Sequence, residues 1–436
     1  MFNFLRREPG FYKRLFKLSL PMILQNLITF SLGLIDTFMV SRLGNAEMAA
    51  VTTANVPVFL LTSIVFGFQS GLGILVSQYW GKGDEKSVSQ ALGVASLLGT
   101  AVTLPLALVF ALVPVPVMDL LSNSHDLSLL GAPYLRVIGF AYVFNMLSSI
   151  YVSARRSVED PAFGMKLFGF STILNTGLNY LLIFGNGGFP ALGVAGAAIA
   201  TLLARISEFA FCALRSRLIP LRLGLFFRPG ADMCRRFVKY ASPVVLNETV
   251  WGLGNSLLTV ILGYTDNSVE MLAANAVMGN LNRLFLVVCF GLGAATAVMV
   301  GKAIGEGRGR EKVMDLSRAL LWFAVLVGTA LAAFSLALVP LLFVPVIFPM
   351  FKLFGLSAEI ATALAVMGFA AIPLHACAIS AVTGVLRAGG DVMWSTVLDI
   401  APQWVVCLPA AALAALVFKL GCWPIAFAIQ LESVVK

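Results

Sequence analysis

The chain has 436 residues, 59% of them hydrophobic and only 12% charged, with 30 Lys and Arg against 21 Asp and Glu for a formal net charge of +9. A soluble domain carries roughly a quarter charged residues, so this composition excludes a water-facing globular surface. Six cysteines show no CxxC or Cys/His ligand spacing and read as packing residues.

Apolar residues fall in runs of about 20, the helix length that crosses roughly 30 Å of hydrocarbon. Inside hydrocarbon every backbone polar group needs a partner within its own segment, which selects helices. Spans are predicted near 15–40, 48–78, 88–113, 127–151, 164–184, 191–214, 238–263, 270–300, 313–340, 357–386, 393–418 and 421–436. The last, GCWPIAFAIQLESVVK, is shorter than a full span and is expected to be a truncated helix. No cleavable signal peptide is expected, because the basic amino terminus runs directly into a full-length span.

The basic residues sort by side. The amino terminus, the even-to-odd connections and Lys436 carry 24, the opposite side carries Arg42, Lys352 and Lys419, and Arg136, Arg205 and Arg283 sit within spans. That asymmetry expects a plasma (inner) membrane protein with both termini cytoplasmic. It also explains the net charge as topology, so no nucleic-acid partner is expected.

A duplication runs through the chain. SLPMILQNL answers ASPVVLNET, with Pro21 opposite Pro243; NAEMAA (45–50) answers SVEMLA (268–273), FGFQSG (66–71) answers FGLGAA (290–295), and WGKGDE (80–85) answers IGEGRG (304–309). The fold class expected is an all-α polytopic membrane protein, with twelve transmembrane helices in two parallel six-helix lobes. The boundaries expected are a lobe over 1–214, a basic cytoplasmic linker over 215–239 and a second lobe over 240–436. Parallel repeats with a shared cavity suit alternating access. No Walker-type phosphate loop appears, so ATP is not expected as the direct energy source.

Ionisable groups inside spans are costly and are functional candidates by default. Asp36 lies about four residues from the outer end of the first span, and Asn175 and Asn179 share that depth on one face of the fifth. Thr201 lies about ten residues into the sixth. A carboxylate, two amide oxygens and a hydroxyl suit a hard monovalent cation such as Na+, with Asp36, Asn175 and Asn179 as the metal-facing oxygens. The carboxylate alone also suits a proton. In the second half, Glu248 and His375 share a depth, and Arg283 is expected to pair with Glu248, forming a second polar site. Phe66, Phe68 and Gln69 are candidates for lining an adaptable substrate cavity. Glu208, Asp399 and Glu432 lie toward span ends and are expected to be structural, as are Arg387 and Asp391 in the turn VLRAGGD.

With these residues in place, the chain resembles the multidrug and toxic compound extrusion (MATE) family over essentially its whole length. SLPMILQNLITFSLGLIDTFMVSRLG, FGFQSGLGILVSQYWGKG, ILNTGLNYLLIFG, ALGVAGAAIATLLARISEF and VLRAGGD carry the likeness. The resemblance implies cation-driven antiport of amphipathic organic cations by a pair of six-helix lobes. It implies Asp36 as the coupling acid, partnered by Asn175, Asn179 and Thr201. One branch of the family has a second acid where this sequence has Asn179, which favours sodium here. Another uses acids in the seventh and tenth spans; Glu248 sits about a turn from the first, and His375 and Ala376 occupy the neighbourhood of the second. The expectation is a secondary active exporter and not an enzyme, without a cofactor, driven by H+ and/or Na+, acting as a monomer on small molecules. The alternatives are a flippase for a lipid-linked headgroup and, less favoured, a membrane-embedded transferase.

Overall fold

The computed structural model describes residues 10–122, 124–215 and 230–436. Among these the secondary structure is helical, with no strand. The longer helices are α1 Phe11–Ser41, α2 Asn45–Gly81, α3 Glu85–Leu112, α4 His125–Ser157, α5 Ala162–Phe184, α6 Gly193–Leu214, α7 Ala231–Gly263, α8 Ser268–Gly305, α9 Arg310–Met350, α10 Leu356–Ala370, α11 Ile372–Gly389, α12 Val392–Val417 and α13 Cys422–Val435. Eleven of them are long and apolar enough to cross a membrane. The other two, α10 and α13, are shorter apolar helices. The expected tenth span comprises α10 and α11, which join at Ala371 with φ −81° and ψ −9°, still helical, just before Pro373. The protein is an all-α, polytopic membrane protein, and its many exposed Leu, Phe and Val side chains suit contact with acyl chains. Of the expected basic linker, residues 216–229 lie outside the described residues, and from Ala231 the chain is already α7.

Local chemistry sets the helix ends. Asp84 caps α3, its Oδ1 accepting the Ser87 backbone N–H at 3.1 Å and its Oδ2 the Ser87 hydroxyl at 2.6 Å. Gly185, at φ 73°, stops α5 in the left-handed region that costs glycine nothing.

The chain divides into two compact units: Leu24–Val245, and Leu246–Lys436 together with the segment ending at Ile23. These units differ from the lobes expected from the sequence, because both dividing points fall inside helices. Each lies two residues past a repeat-equivalent proline, Pro21 in α1 and Pro243 in α7. A proline removes one backbone hydrogen bond and bends its helix there. In the first unit, Phe237 of α7 is buried with Leu72, Val76, Leu92 and Met146. In the second, Leu15, Leu18 and Met22 of α1 are buried with Val298, Val300 and Leu320. The repeat preserves the glycines at these approaches. A Cβ on Gly67 would stand 2.9 Å from the Val245 backbone nitrogen, and one on Gly291 would stand 3.0 Å from that of Ile23.

Candidate functional site

Asp36 sits five residues before the end of α1, and Asn175 and Asn179 lie one turn apart on α5, each 1% exposed. Asn179 Nδ2 donates to Asp36 Oδ1 at 2.6 Å and to Asn175 Oδ1 at 2.9 Å. Asn175 Nδ2 donates in turn to Thr201 Oγ1 at 3.3 Å, and the Thr201 hydroxyl donates to the Ala197 carbonyl at 3.0 Å. The structure thus strings all four polar residues, drawn from three helices of one unit, on a single hydrogen-bonded chain. The shortest bond is the one to the carboxylate, as a charge-assisted bond would be. Asn179 Oδ1 is buried with no hydrogen-bond partner, so one hard oxygen beside Asp36 is unspent. Close helix approach makes the chain of bonds reachable. Gly196 of α6 packs on α5 so tightly that a Cβ there would stand 2.4 Å from the Leu182 carbonyl oxygen.

Asp36 and Thr201 open onto a cavity of about 340 Å³. Its walls include Val51, Val58 and Ile138 on the apolar side and Asn55, Tyr134, Tyr142 and Arg205 on the polar side. The Tyr134 hydroxyl donates to Asn55 Oδ1 at 3.3 Å, and the Tyr142 and Thr62 hydroxyls lie 3.0 Å apart. Arg205 is ion-paired with Glu208, Nη1 lying 2.8 and 3.0 Å from the two carboxylate oxygens.

Against known proteins, a family model described as MatE matches residues 21–181. The chain is 24% identical to the probable multidrug resistance protein YoeA of Bacillus subtilis, covering 98% of this chain and 93% of that one. It is 26% identical to a FAD transporter of Shewanella oneidensis over 74% of this chain and 72% of the relative. Among solved structures it overlays a mutant of the Vibrio cholerae MATE transporter VcmN with a TM-score of 0.86 at 18% identity, covering 97% of this chain and 93% of that one. The chain belongs to the MATE family.

The second unit of this MATE transporter holds a different polar cluster from the one expected. Glu248 pairs with Arg387, Oε1 lying 3.6 Å from Nη2, and not with Arg283, whose side chain is exposed on α8. Arg387 is 2% exposed and also lies 3.6 Å from Asp399 Oδ2. Asp399 further accepts from Lys436 Nζ at 2.7 Å and Asn247 Nδ2 at 2.7 Å, while Lys436 reaches Glu432 at 2.6 Å. His375 forms no ion pair with these charges among the described residues, with Ser433 Oγ 2.9 Å from its Nε2 and the Ala371 carbonyl 3.1 Å from its Nδ1. Glu248, Arg283 and His375 therefore do not form one site: depth along a span is a single coordinate, and rotation about the helix axis separates them.

Phe66, Phe68 and Gln69 do not line the cavity beside Asp36. Phe68 is 9% exposed and stacks edge-on against Phe237 at 5.2 Å between centroids, Phe66 is exposed, and the Gln69 carbonyl accepts from Ser153 Oγ at 2.8 Å. Sequence reasoning passed over Arg205 and Tyr142 as cavity residues. It placed Glu208 near a span end, whereas this acid is fully buried on the ion pair with Arg205 and 3.3 Å from Ser148 Oγ. The signal was present in the spacing, since Arg205 and Glu208 stand three apart on one helix, where opposite charges meet.

Proposed function

We propose that this MATE transporter is a secondary active exporter of amphipathic organic cations, driven by H+ and/or Na+, with Asp36 as the coupling acid and Asn175, Asn179 and Thr201 as its partners. The observation that carries this reading is the bonded chain from Asp36 through Asn179 and Asn175 to Thr201, joined to a cavity at its acidic end. Asn179 is a two-faced partner. One N–H of its amide serves an ionised Asp36, and its unspent Oδ1 serves a proton or Na+ arriving at that carboxylate. Loading and substrate binding then compete for the same acid. Coupling follows when the two loaded forms favour opposite conformations of an alternating-access cycle, because a ligand shifts an equilibrium only by its differential affinity for the two states. The proposed setting is the inner membrane, with both termini cytoplasmic and the chain acting as a monomer.

The test is efflux from a drug-sensitive host carrying wild type or Asp36→Asn, with sodium and proton gradients collapsed separately. Loss of export in Asp36→Asn is expected, and full export by that variant overturns the assignment. Wild-type export that survives without sodium but not without a proton gradient identifies the proton as the coupling ion.

A further inference from the structure

We propose that Arg205 is an anion-docking residue, and that the cavity beside Asp36 therefore takes zwitterionic amphipaths, in which an oxyanion group accompanies the cationic one. This rests on the export reading for its physiological sense but not for its test.

Four observations lead there. Arg205 lines the same cavity as Asp36, so one space presents a carboxylate and a guanidinium. Only Nη1 of that guanidinium is engaged, by Glu208 at 2.8 and 3.0 Å, while Nε and Nη2 have no hydrogen-bond partner among the described residues. A guanidinium has five donors, and those left unpaired away from bulk water are normally satisfied by something. The Arg205 side chain is 18% exposed and lines the cavity, whereas its partner Glu208 is fully buried and does not, so of the pair it is Arg205 that a ligand meets. Finally, Glu208 also holds Ser148 at 3.3 Å, which fixes the acid and so orients the guanidinium before any ligand arrives.

Chemistry selects the ligand class. A site built for cations alone gains nothing from a guanidinium on its wall, because like charge repels the ligand. Glu208 offsets the full charge of Arg205, so attraction comes from directed N–H groups and not from a net positive field. Arginine offers a second parallel pair of N–H bonds along its Nε and Nη2 edge, matched to a carboxylate or phosphate. The hydroxyls of Tyr134 and Tyr142 and the amide of Asn55 add neutral polar contacts, and Val51, Val58 and Ile138 accept an apolar body. A volume of about 340 Å³ falls in the range of small-molecule sites and accommodates the polar end of such a ligand.

The experiment uses the full chain purified in detergent and two fluorescent probes, a cationic rhodamine dye bearing a free benzoate and the methyl ester of the same dye, with binding read by anisotropy. Wild type is expected to bind the acid dye at least about ten-fold tighter than the ester, the ratio that one charge-assisted bond pair supplies. In Arg205→Gln that ratio is expected to fall toward one. Because Arg205→Gln leaves a buried Glu208 unpaired and risks misfolding, Arg205→Gln/Glu208→Gln is measured beside it; the neutral amide pair keeps a hydrogen bond and removes both charges. The same collapse of the ratio is expected there. An acid-to-ester ratio near one in wild type, or a ratio that persists in the double variant, overturns the proposal. The outcomes are separable from the export reading: Asp36→Asn exporting at full rate while the dye ratio holds sinks only the coupling assignment. Export intact with no preference for the acid dye sinks only this one.

Discussion

The bond between Asn179 and Asp36 can be measured by a double-mutant cycle on stability. Asn179→Ala removes two hydrogen bonds, one to a carboxylate at 2.6 Å and one to an amide oxygen at 2.9 Å. A bond to a charged group contributes about 1.5–3 kcal/mol and a neutral one about 0.5–1.5, so the single variant is expected to lose about 2–4.5 kcal/mol. Asp36→Ala removes only the charged bond and leaves Asn179 on Asn175, a loss of about 1.5–3 kcal/mol. The double variant counts the shared bond once, so its loss should fall short of the sum by about 1.5–3 kcal/mol. Neutral side-chain hydrogen bonds between membrane helices average about 0.6 kcal/mol in such cycles, with a ceiling of about 1.7. The cycle therefore decides more than whether the residues touch. A coupling above about 1.7 kcal/mol identifies an ionised Asp36, one near about 0.6 identifies an uncharged partner, and one indistinguishable from zero refutes the geometry. Equilibrium unfolding in mixed detergent micelles is the assay.

Two further outcomes follow from packing and capping. Gly196→Ala places a methyl 2.4 Å from the Leu182 carbonyl oxygen, forcing α5 and α6 apart and breaking the 3.3 Å bond between Asn175 and Thr201; efflux should fall steeply although no polar residue has changed, and undiminished export would show that this helix spacing does not matter. Asp84→Ala removes the α3 cap and should cost about 1 kcal/mol at neutral pH. The hydroxyl and backbone N–H of Ser87 hold the Asp84 carboxyl below its ordinary value of 3.8, so the cap is fully present above that value and is lost as pH falls through the lower folded one. The gap between wild type and Asp84→Ala should close on acidification, as read by melting at a series of pH values.

Most of the frame was legible because a membrane imposes a coarse rule. Twenty apolar residues make a span, and the repeat set the count; even the break between α10 and α11 falls within the stretch 357–386 read as one helix. The clustering of the first-unit polar residues was legible for a related reason: Asp36, Asn175 and Asn179 are costly in hydrocarbon, and the four-residue spacing of the two amides fixes their common face. What failed was rotation and partner choice. Nothing in the run around Glu248 says that Arg387, about 140 positions away and placed in a turn, is buried beside it. Phe66 and Phe68, two apart on a helix, cannot share a face, and the structure sends Phe68 into the core against Phe237. The packing units escaped notice because the basic connection looks like a divider, whereas the actual divisions sit beside Pro21 and Pro243, which read only as kinks.

The duplicated frame carries two unlike charge designs, and the difference bears on where an ion exchanges. In the first unit, Asp36 is held by an amide, a neutral donor that an arriving ion can displace or reuse. In the second, Glu248 and Asp399 share Arg387, and Asp399 also holds Lys436 at 2.7 Å, so the cations are already there and are covalently tethered. A tethered cation has a high effective concentration, and a free ion must outcompete it and leave it buried without a partner. That argues for a fixed brace and not a second exchange site. Arg387→Leu, which leaves Glu248 without its cation and takes one of two from Asp399 around a side chain only 2% exposed, should destabilise the protein by about 3–5 kcal/mol. Adding Glu248→Gln and Asp399→Asn should return most of that loss, because the stranded charges are gone. If the triple variant is as stable as wild type and its export keeps the wild-type dependence on sodium and proton gradients, the cluster is structural. A shifted ion dependence in the stable triple variant would instead make Glu248 or Asp399 part of the coupling, and the asymmetry between the halves would fall.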